Sequence, residues 1–449
     1  MSQSSKSSQL YQRALRVLPG GVSRNAVLRK PHPIYASEGR GCRFTDVEGV
    51  TRIDFANNMT SLIHGHSHPA IIEAVTKQLQ RGTAYSFATE EEVLLAEHLC
   101  SRSPSFQKIR FVNSGTEAVM CCLKAARAFT GRPKIAKVEG AYHGIYDYAE
   151  TSQTAAPSNW GDANHPRSVP VVHGTPQSAL DEVVILPFNN PTTALQLLDQ
   201  HADEIACVLI DPMPHRVGVI PASHEFVNAL RKWTTQHGAL LVFDEVITFR
   251  SEYGGAQQWY QARPDLTALG KIIGGGFPVG AIAGRSDVMD VFNPLMEKVL
   301  FPHSGTFSAN PITMTAGLAA MKHYDQFAVS RLNKMGAETR WQITSTICEA
   351  GIHACVTGAG SMFRIHFKAE APKNYRDAFA TPEETKCMRA LLDHLLAQGI
   401  MLISTGAATL STPMTHNEID ELCAALKSGF KQVKEMAELR AAEAAGVAK

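Results

Sequence analysis

The amino-acid sequence predicts an α/β protein with a mainly parallel sheet in a large domain and a smaller α+β domain. Short apolar runs alternate with longer amphipathic stretches of helical period through the middle of the chain. Apolar strands that are separated by helices are typical of a parallel sheet that helices cover on both faces. With 449 residues, the chain is long enough to form two domains with a sizeable core.

The order of the elements favours this fold class. Four apolar runs predict strands of the central sheet, at residues 109–114, 134–139, 206–211 and 239–245. Periodic stretches predict helices at residues 116–129, 223–238, 381–396 and 417–434. Gly238 ends the second of these helices as its C-cap.

The chain is predicted to divide into a large domain at residues 61–320 and a small domain. Residues 1–60 would contribute to the small domain, and residues 321–449 would form the rest of it. Residues 151–181 are an insertion rich in proline, asparagine, serine and glycine, which is too long for an ordinary connection. We expect that insertion to be a functional flap or an interface loop.

Composition and charge argue against several classes of partner. The formal net charge is +1 and charged residues make up 19% of the chain, so neither nucleic acid nor an anionic membrane is expected as a partner. The N-terminal segment is polar, and no apolar run approaches the roughly 18 residues of a membrane helix. The nine cysteines are scattered without a C-x-x-C pair, which is typical of a reducing compartment. We therefore expect a cytoplasmic protein.

The apolar run at residues 239–243 ends in two carboxylates, Asp244 and Glu245. A buried carboxylate without a partner costs several kcal/mol, so we expect a cation beside at least one of them. Asp211 ends another predicted strand in the same way. Ligands of parallel sheets bind beyond the carboxyl ends of the strands, and this edge of the sheet is therefore the predicted site.

A phosphate-binding site is predicted where the strand at residues 109–114 runs into a helix. The sequence S-G-T-E-A supplies the hydroxyls of Ser114 and Thr116 and the backbone N–H of Gly115 at the helix N-terminus. Free N–H groups and hydroxyls at a helix N-terminus bind a phosphate dianion. A simple capped helix without a ligand is the alternative.

A candidate nucleophile, Lys271, lies in L-G-K-I-I-G-G-G-F-P-V-G, between apolar residues and three glycines. A lysine among apolar neighbours loses hydration, which lowers its pKa and makes its amine a nucleophile. The glycines are expected to let the backbone approach a bound ligand closely. A surface lysine beside a turn is the alternative.

Three other motifs are excluded or disfavoured. Asp265 occupies the position where a Walker A loop needs its first glycine, and the glycines after Lys271 miss the dinucleotide spacing G-x-G-x-x-G. His64, His66 and His68 alternate as metal ligands can, but no cysteine or carboxylate lies within several residues of them. We expect a loop turned by glycine and proline there, and no metal site.

The three remaining features combine into one prediction. A phosphate-binding helix N-terminus, an acid at a strand end and a desolvated lysine follow in that order along one parallel sheet. Together they match a pyridoxal 5′-phosphate site, and the missing cation beside Asp244 would be the protonated pyridine nitrogen of this cofactor.

With these motifs the chain resembles a class III aminotransferase of fold type I, a group that includes glutamate-1-semialdehyde aminomutase and bacterial β-amino acid aminotransferases. The motifs N-S-G-T-E-A, Y-H-G, F-D-E-V, L-G-K-I-I-G-G-G and H-S-G-T-F-S-A-N-P occur in the order of that family. The resemblance covers nearly the whole chain. It implies a fold type I PLP-dependent transferase whose large domain has a mainly parallel seven-stranded sheet.

The resemblance also implies roles for individual residues. Lys271 would form the Schiff base with the cofactor aldehyde and then act as the general base, and Asp244 would keep the pyridine nitrogen protonated. The remaining cofactor contacts that it implies are Ser114, Gly115 and Thr116 at the phosphate, Tyr142 and Val246 on the two ring faces, and Thr306 at the phosphate of the neighbouring subunit. The role of Thr306 implies a homodimer with shared active sites.

The substrate-binding residues depart from the family pattern. Arg24, in P-G-G-V-S-R, resembles the arginine that binds the carboxylate of β-amino acids, with a solvated surface arginine as the alternative. No arginine lies between Arg389 and Arg440, and Thr405 stands near the position of the family's C-terminal arginine.

Two further departures from the family lie elsewhere in the chain. Residues 400–417 lack the acid of the aminomutase. In I-D-P-M-P-H-R-V-G-V-I-P, Asp211 replaces the family's glutamate and Arg216 falls where some relatives have an acid. We expect Arg216, or less favourably Arg250, to bind a substrate carboxylate.

The leading hypothesis is an aminotransferase that moves an amino group from a β-amino acid or related amine to a 2-oxo acid or aldehyde. An aminomutase that moves the amino group within one substrate is the alternative. A dinucleotide-dependent oxidoreductase is disfavoured by the glycine spacing, and a non-catalytic protein by the presence of both Lys271 and Asp244.

Overall fold

A computed structural model describes the backbone of residues 5–444 and the side chains of residues 5–436. Residues 1–4 and 445–449 of the predicted domains lie outside the described residues. The strands are β1 Ala36–Arg40, β2 Arg43–Asp46, β3 Thr51–Asp54, β4 Lys108–Val112, β5 Lys134–Val138, β6 Gly161–Asp162, β7 His165–Pro166, β8 Val183–Leu186, β9 Ile205–Ile210, β10 Leu240–Asp244, β11 Leu266–Gly270, β12 Gly280–Gly284, β13 Cys355–Thr357, β14 Met362–His366, β15 Ile400–Met401 and β16 Ala407–Thr409.

The helices follow the strands in the expected alternation. They are α1 Lys6–Ala14, α2 Asn57–Thr60, α3 Pro69–Arg81, α4 Glu90–Arg102, α5 Gly115–Thr130, α6 Asp147–Glu150, α7 Gln177–Asp181, α8 Pro191–Asp199, α9 His224–His237, α10 Ser286–Met289, α11 Pro311–His323, α12 Gln326–Ala350, α13 Tyr375–Ala378, α14 Pro382–Ala397 and α15 His416–Ala444. Within the described residues, no helix is both long and apolar enough to cross a membrane.

The central sheet has seven strands in the order β4-β12-β11-β10-β9-β5-β8. Only β12 runs antiparallel to its neighbours, β4 and β11. Every residue of β9 and of β10 is buried, because helices cover both faces of the sheet. The mainly parallel seven-stranded sheet is therefore confirmed.

The predicted elements of the sheet lie within one or two residues of their observed bounds. The helix predicted at residues 116–129 begins one residue earlier, at Gly115, and ends at Thr130. The helix predicted at residues 223–238 has Ser223 as its N-cap and Gly238 as its C-cap. Gly238 has a φ of 65°, a left-handed conformation that glycine adopts without strain.

The N-terminal and C-terminal parts of the chain share a second sheet, in the order β1-β2-β3-β15. Strand β15 pairs in parallel with β3, which joins residues 400–401 to residues 53–54. A third sheet, β13-β14-β16, packs with the long helices of the C-terminal part. The division of the chain into domains at residues 60 and 320 stays a prediction.

The insertion at residues 151–181 is fastened to the rest of the protein. It contains the two-stranded ribbon of β6 and β7 and the short helix α7. The Ser168 hydroxyl donates to the carbonyl of Val183 at 2.7 Å, and the Tyr375 hydroxyl donates to the carbonyl of Ala155 at 2.6 Å. Its expected role as a flap or interface loop stays a prediction.

Arg250 joins three separate parts of the chain inside the core. Its fully buried guanidinium donates to the Ser361 hydroxyl at 3.1 Å, to the Thr60 carbonyl at 3.2 Å and to the Leu410 carbonyl. The Tyr324 hydroxyl donates to the Arg250 carbonyl at 2.6 Å. The expectation that Arg250 binds a substrate carboxylate is therefore wrong, because protein oxygens enclose its N–H groups.

Candidate active site

The predicted cofactor residues meet at the carboxyl ends of the central strands. A Cβ placed on Gly115 would lie 2.8 Å from Val246 Cγ1, and one placed on Gly270 would lie 3.2 Å from the same atom. A Cβ on Gly280 would collide with the carbonyl of Ser114. The start of α5, the end of β10 and the end of β11 are therefore packed in direct contact, and glycines make this approach possible.

The N-terminus of α5 has the form of an anion site. Ser114 is the N-cap, and its Oγ accepts the backbone N–H of Glu117 at 3.1 Å. Ser114, Gly115 and Thr116 are all partly exposed, so their polar groups are accessible from the strand ends. A phosphate dianion fits this position, since a helix of 16 residues directs free N–H groups and the positive end of its dipole towards it.

Asp244 is buried and is held by two neutral donors. His143 Nδ1 lies 2.7 Å from Asp244 Oδ2, and the backbone N–H of Val246 donates to Oδ1 at 3.0 Å. Burial lowers the pKa of His143, against the opposing effect of Asp244, so we assign a neutral ring whose Nδ1–H donates. Among the described side chains, no lysine or arginine forms an ion pair with Asp244.

This arrangement fits pyridoxal 5′-phosphate. A buried carboxylate with neutral donors lacks a full positive charge, and the protonated ring nitrogen of the cofactor is such a charge with its own N–H donor. The phosphate would be held by the start of α5, and Val246 would lie under the ring. The residues present therefore match both ends of the cofactor.

His143 was missed as a functional residue by the sequence analysis. The only signal was its place beside Tyr142 in Y-H-G. The contact with Asp244 joins residues that are 101 positions apart, so local sequence does not reveal it. His143 fixes the orientation of the carboxylate.

The second acid of the pair, Glu245, has a structural role. It is fully buried and accepts the backbone N–H groups of Ala256 at 2.6 Å and Gln257 at 3.1 Å, as well as Gln257 Nε2 at 2.9 Å. These bonds fasten the turn at Ala256–Trp259 to the end of β10. Only one carboxylate of the pair is thus directed to a ligand.

Asp211 ends β9 next to these acids. Its Oδ1 accepts the backbone N–H of Met213 at 2.8 Å. Burial, followed by the nearby charge of Asp244, raises the pKa of Asp211 well above its usual range. This shift favours the neutral form of Asp211.

Lys271 begins a single 3₁₀ turn, Lys271–Gly274, directly after β11. Its φ of 50° is a left-handed conformation that costs a non-glycine residue of order 1–3 kcal/mol, as is frequent at functional sites. Burial lowers the pKa of Lys271, although Asp244 and Asp211 oppose this shift. The neutral amine is therefore more populated than in a solvated lysine.

The glycines after Lys271 serve protein packing. A Cβ on Gly274 would lie 2.6 Å from Val279 Cγ1, and one on Gly275 would collide with the carbonyl of Ala316 in α11. Gly317 of the same helix leaves room for the carbonyl of Ile273. Gly274 and Gly275 thus let α11 support the lysine turn, whereas the expected approach of a ligand at the exposed Gly276 stays a prediction.

Tyr142 lies in a loop that is held against the site. Its side chain is 44% exposed, which leaves one face free for a ligand. A Cβ on Gly144 would lie 2.5 Å from Thr116 Oγ1, so the loop rests on the start of α5. The buried Lys137 donates to the carbonyls of Ala141 at 3.0 Å and Thr151 at 2.7 Å, and thereby fixes the loop from below.

Lys137 was also missed by the sequence analysis. It lies between Ala136 and Val138 in β5, and burial lowers its pKa to about 7. Because this buried lysine bonds two carbonyls that flank the loop of Tyr142, we assign it a positioning role.

The residues predicted to bind the substrate, Arg24 and Arg216, are exposed on the surface, as is Thr306. Arg24 Nη1 donates to Asn58 Oδ1 at 2.9 Å. Arg216 is exposed, with its guanidinium carbon 5.5 Å from the centre of the Tyr142 ring and Nη1 3.3 Å from the Gln153 carbonyl. Thr306 is exposed beside Phe307. The roles of Arg24, Arg216 and Thr306 stay predictions.

The alternating histidines take part in ordinary packing. His64 lies 2.8 Å from both Thr412 Oγ1 and the Ala320 carbonyl, and His66 Nε2 lies 3.0 Å from Asp54 Oδ2. Within the part of the chain that the structure describes, no group of three histidine, cysteine or acidic side chains is arranged to hold a metal ion.

We predict that His143→Phe weakens the binding of pyridoxal 5′-phosphate by about tenfold or more, because a hydrogen bond to a charged group contributes about 1.5–3 kcal/mol. A spectroscopic titration of the cofactor into the protein measures this dissociation constant. His143→Asn keeps an amide donor near the Nδ1 position and is expected to retain most of the affinity. Equal affinity of the Phe variant and the unaltered protein would contradict the assignment.

Comparison with known proteins identifies the family. Residues 25–433 match the family described as Aminotransferase class-III. Glutamate-1-semialdehyde 2,1-aminomutase of Methanothermobacter thermautotrophicus is 38% identical over 398 residues, which are 88% of this chain and 91% of the relative.

Solved structures agree with this match. An omega-transaminase from Sphaerobacter thermophilus superimposes with a TM-score of 0.94 and 45% identity, over 96% of this chain and 99% of the other. A beta-phenylalanine aminotransferase from Variovorax paradoxus superimposes with a TM-score of 0.84 and 35% identity, over 94% and 93% of the two chains. The chain therefore belongs to the class-III aminotransferase family, and it is a pyridoxal-phosphate-dependent enzyme.

Proposed function

We propose that this enzyme transfers an amino group from a β-amino acid or a related amine to a 2-oxo acid or aldehyde. The observation that carries the proposal is the position of Arg216, an exposed guanidinium beside the Tyr142 ring with no carboxylate partner among the described residues. A cation at this position suits a substrate that bears a carboxylate away from its reacting amine. Arg24 is a second candidate for the same group.

Two relatives support this substrate class. The Sphaerobacter transaminase and the Variovorax beta-phenylalanine aminotransferase share 45% and 35% of their residues with this chain. The alternative, transfer of the amino group within one molecule, is supported by the aminomutase that is 38% identical. Residues 400–417 contain no acid, which disfavours the alternative because the aminomutase is expected to have one there.

The residues of the site have different chemical roles. When bound, pyridoxal phosphate supplies an aldehyde that takes up the amine and a ring that accepts electrons. The amine of Lys271 accepts the proton from the amine-bearing carbon of the substrate and returns a proton for the transfer, a role for which its lowered pKa is suited. General acid–base catalysis of this kind contributes about 10²–10⁴-fold to a rate.

Three further groups keep the reacting atoms in place. Asp244 would keep the ring nitrogen of the cofactor protonated, and His143 prevents the carboxylate from rotating. Tyr142 and Val246 would contact the ring and exclude water from it. The start of α5 would bind the phosphate and so hold the cofactor near Lys271.

We also propose that two copies of the chain associate through the surface around Thr306. Large apolar side chains are exposed in three loops, with Ile145 71% exposed, Leu295 91% and Phe307 60%. A Cβ on Gly305 would lie 3.5 Å from Asn113 Nδ2, so the loop with Thr306 and Phe307 adjoins the phosphate-binding end of β4. A second copy would cover this apolar surface and bring its own Thr306 to the site.

The first prediction tests the amino donor. Adding β-phenylalanine to the protein loaded with pyridoxal phosphate, without an oxo acid, is expected to convert the yellow form of the bound cofactor into its colourless amine form. The measurement is the absorbance spectrum over time. An absorbance spectrum that stays unchanged with β-amino acids and changes only with glutamate 1-semialdehyde would favour the aminomutase instead.

The second prediction concerns Arg216. Arg216→Ala is expected to raise KM for carboxylate-bearing substrates by at least about tenfold, because a charge-assisted contact contributes about 1.5–3 kcal/mol. KM for an amine without a carboxylate is expected to stay unchanged. Arg40→Ala, which alters another exposed arginine, is the matched control. If KM of the Arg216→Ala variant is unchanged for all carboxylate-bearing substrates, Arg216 does not bind the substrate carboxylate.

The third prediction concerns association. Sedimentation velocity is expected to show a particle of twice the 48.8 kDa chain mass. Phe307→Asp is expected to shift it towards a single chain and to weaken cofactor binding, because a charge would be buried in the interface. A single chain that binds pyridoxal phosphate with full affinity would refute the shared site.

A further inference from the structure

A short helix from the C-terminal part of the chain, α13, packs against the loop that carries Tyr142 and His143. The loop begins directly after β5, with Glu139 and Gly140. A Cβ placed on Gly140 would collide with the ring of Tyr375, the first residue of α13. Gly140 has a φ of 73°, so glycine suits both the backbone conformation and the close approach of the ring. The helix and the start of the loop are therefore in direct contact.

The second residue of α13, Arg376, forms a bidentate ion pair with Glu139. Its Nε donates to Glu139 Oε2 at 3.0 Å, and its Nη2 donates to Oε1 at 2.9 Å. The Arg376 side chain is 18% exposed and the Glu139 side chain 4%, so little water screens the pair. A bidentate pair between guanidinium and carboxylate fixes the orientation of both groups as well as their separation. The pair therefore holds the start of the loop in one place.

The guanidinium of Arg376 also holds the insertion at residues 151–181. Its Nη1 donates to the carbonyl of Gly161 at 2.9 Å, and its Nη2 donates to the carbonyls of Trp160 at 3.1 Å and Asp162 at 3.0 Å. The guanidinium carbon lies 4.8 Å from the centre of the Trp160 ring. One side chain of the C-terminal part thus joins the insertion to the start of the loop.

The helix that carries Arg376 is itself anchored to the C-terminal part of the chain. Lys368 Nζ donates to the carbonyl of Phe379, directly after α13, at 3.1 Å. The same Nζ forms an ion pair of 2.9 Å with Glu384 in α14. Because α13 is held at this end, Arg376 can restrain the loop instead of moving with it.

The loop carries two groups of the cofactor site. Tyr142 has an exposed ring face, and His143 Nδ1 lies 2.7 Å from Asp244 Oδ2. These two residues follow Glu139 by three and four positions along the chain. A displacement of the start of the loop would therefore move both side chains relative to Asp244.

We propose that Arg376 is a positioning residue of the cofactor site. Its ion pair with Glu139 sets the positions of the Tyr142 ring and of His143. Arg376 acts through the loop at residues 139–143 and not by contact with the substrate. The inference concerns the cofactor site alone, so it goes beyond the proposed function and holds for either amino donor. An Arg376 that only fastened the insertion would leave Tyr142 and His143 unaffected.

The test uses the bound cofactor and the loop itself as probes. Arg376→Met is expected to weaken the binding of pyridoxal 5′-phosphate at least about threefold, because the bond between His143 and the charged Asp244 loosens. The visible circular dichroism of the bound cofactor is expected to fall, since its ring is held less firmly. In the cofactor-free protein, amide hydrogen exchange of residues 139–143 is expected to quicken at least about tenfold. Arg376→Lys keeps the charge without the fork and is expected to give intermediate values.

Glu139→Gln separates the effect on the loop from the effect on the insertion. It removes the charge from the pair and leaves the contacts of Arg376 with the carbonyls of residues 160–162 in place. It is expected to lower cofactor affinity and circular dichroism in the same direction as Arg376→Met, and it decides the question if that variant does not fold. Full cofactor affinity with an unchanged circular dichroism in the folded Glu139→Gln protein would overturn the proposal.

The ion pair of Arg52 with Asp46 offers a matched control. Arg52 Nη1 lies 2.6 Å from Asp46 Oδ2, and the two side chains are 11% and 4% exposed, similar to Arg376 and Glu139. The control pair joins β3 to the end of β2 in the N-terminal sheet. Arg52→Met is expected to lower thermal stability and to leave cofactor affinity, circular dichroism and the exchange of residues 139–143 unchanged. Equal changes in Arg52→Met and Arg376→Met would overturn the proposal, because a general loss of stability would then explain both.

Discussion

The negative charge of Asp244 inside the sheet is the constraint on which the site depends. Strand β10 is buried along its whole length, so its terminal carboxylate has little access to water. Its carboxylate accepts from two neutral donors, His143 and the N–H of Val246, and among the described side chains no lysine or arginine forms an ion pair with it. A cationic ligand would therefore stabilise the charged form of Asp244, and the protonated ring nitrogen of pyridoxal phosphate is such a cation.

The other parts of the site are arranged around that ligand by close backbone packing. Gly115 and Gly270 both pack closely against Val246. The start of α5, the end of β10 and the turn that begins at Lys271 are therefore in direct contact. Lys271 is held in a left-handed conformation, and α11 packs tightly behind its turn. A displacement of any of these elements would change the distance between the lysine amine and the ring.

The sequence allowed prediction of the sheet and of the groups at its edge, because these follow from local patterns. Apolar runs gave the strands, and Asp244, Ser114 and Lys271 each stand at the end of such a run. The contact of His143 with Asp244 was not predictable from local patterns, since it joins residues that are 101 positions apart. The role of Lys137 was not predictable either, because the pattern of β5 does not show which carbonyls its amine contacts. Arg250 was misjudged for the same reason, as only the fold shows that it is enclosed.

The direct test of this account is the protonation state of the ring nitrogen. The ¹⁵N chemical shift of nitrogen-labelled pyridoxal phosphate, bound to the protein, reports it. A protonated nitrogen is expected from about pH 6 to pH 9, because the buried Asp244 charge stabilises it. A nitrogen that is unprotonated in this range would contradict the account, since Asp244 would then lack the cation on which the site is built.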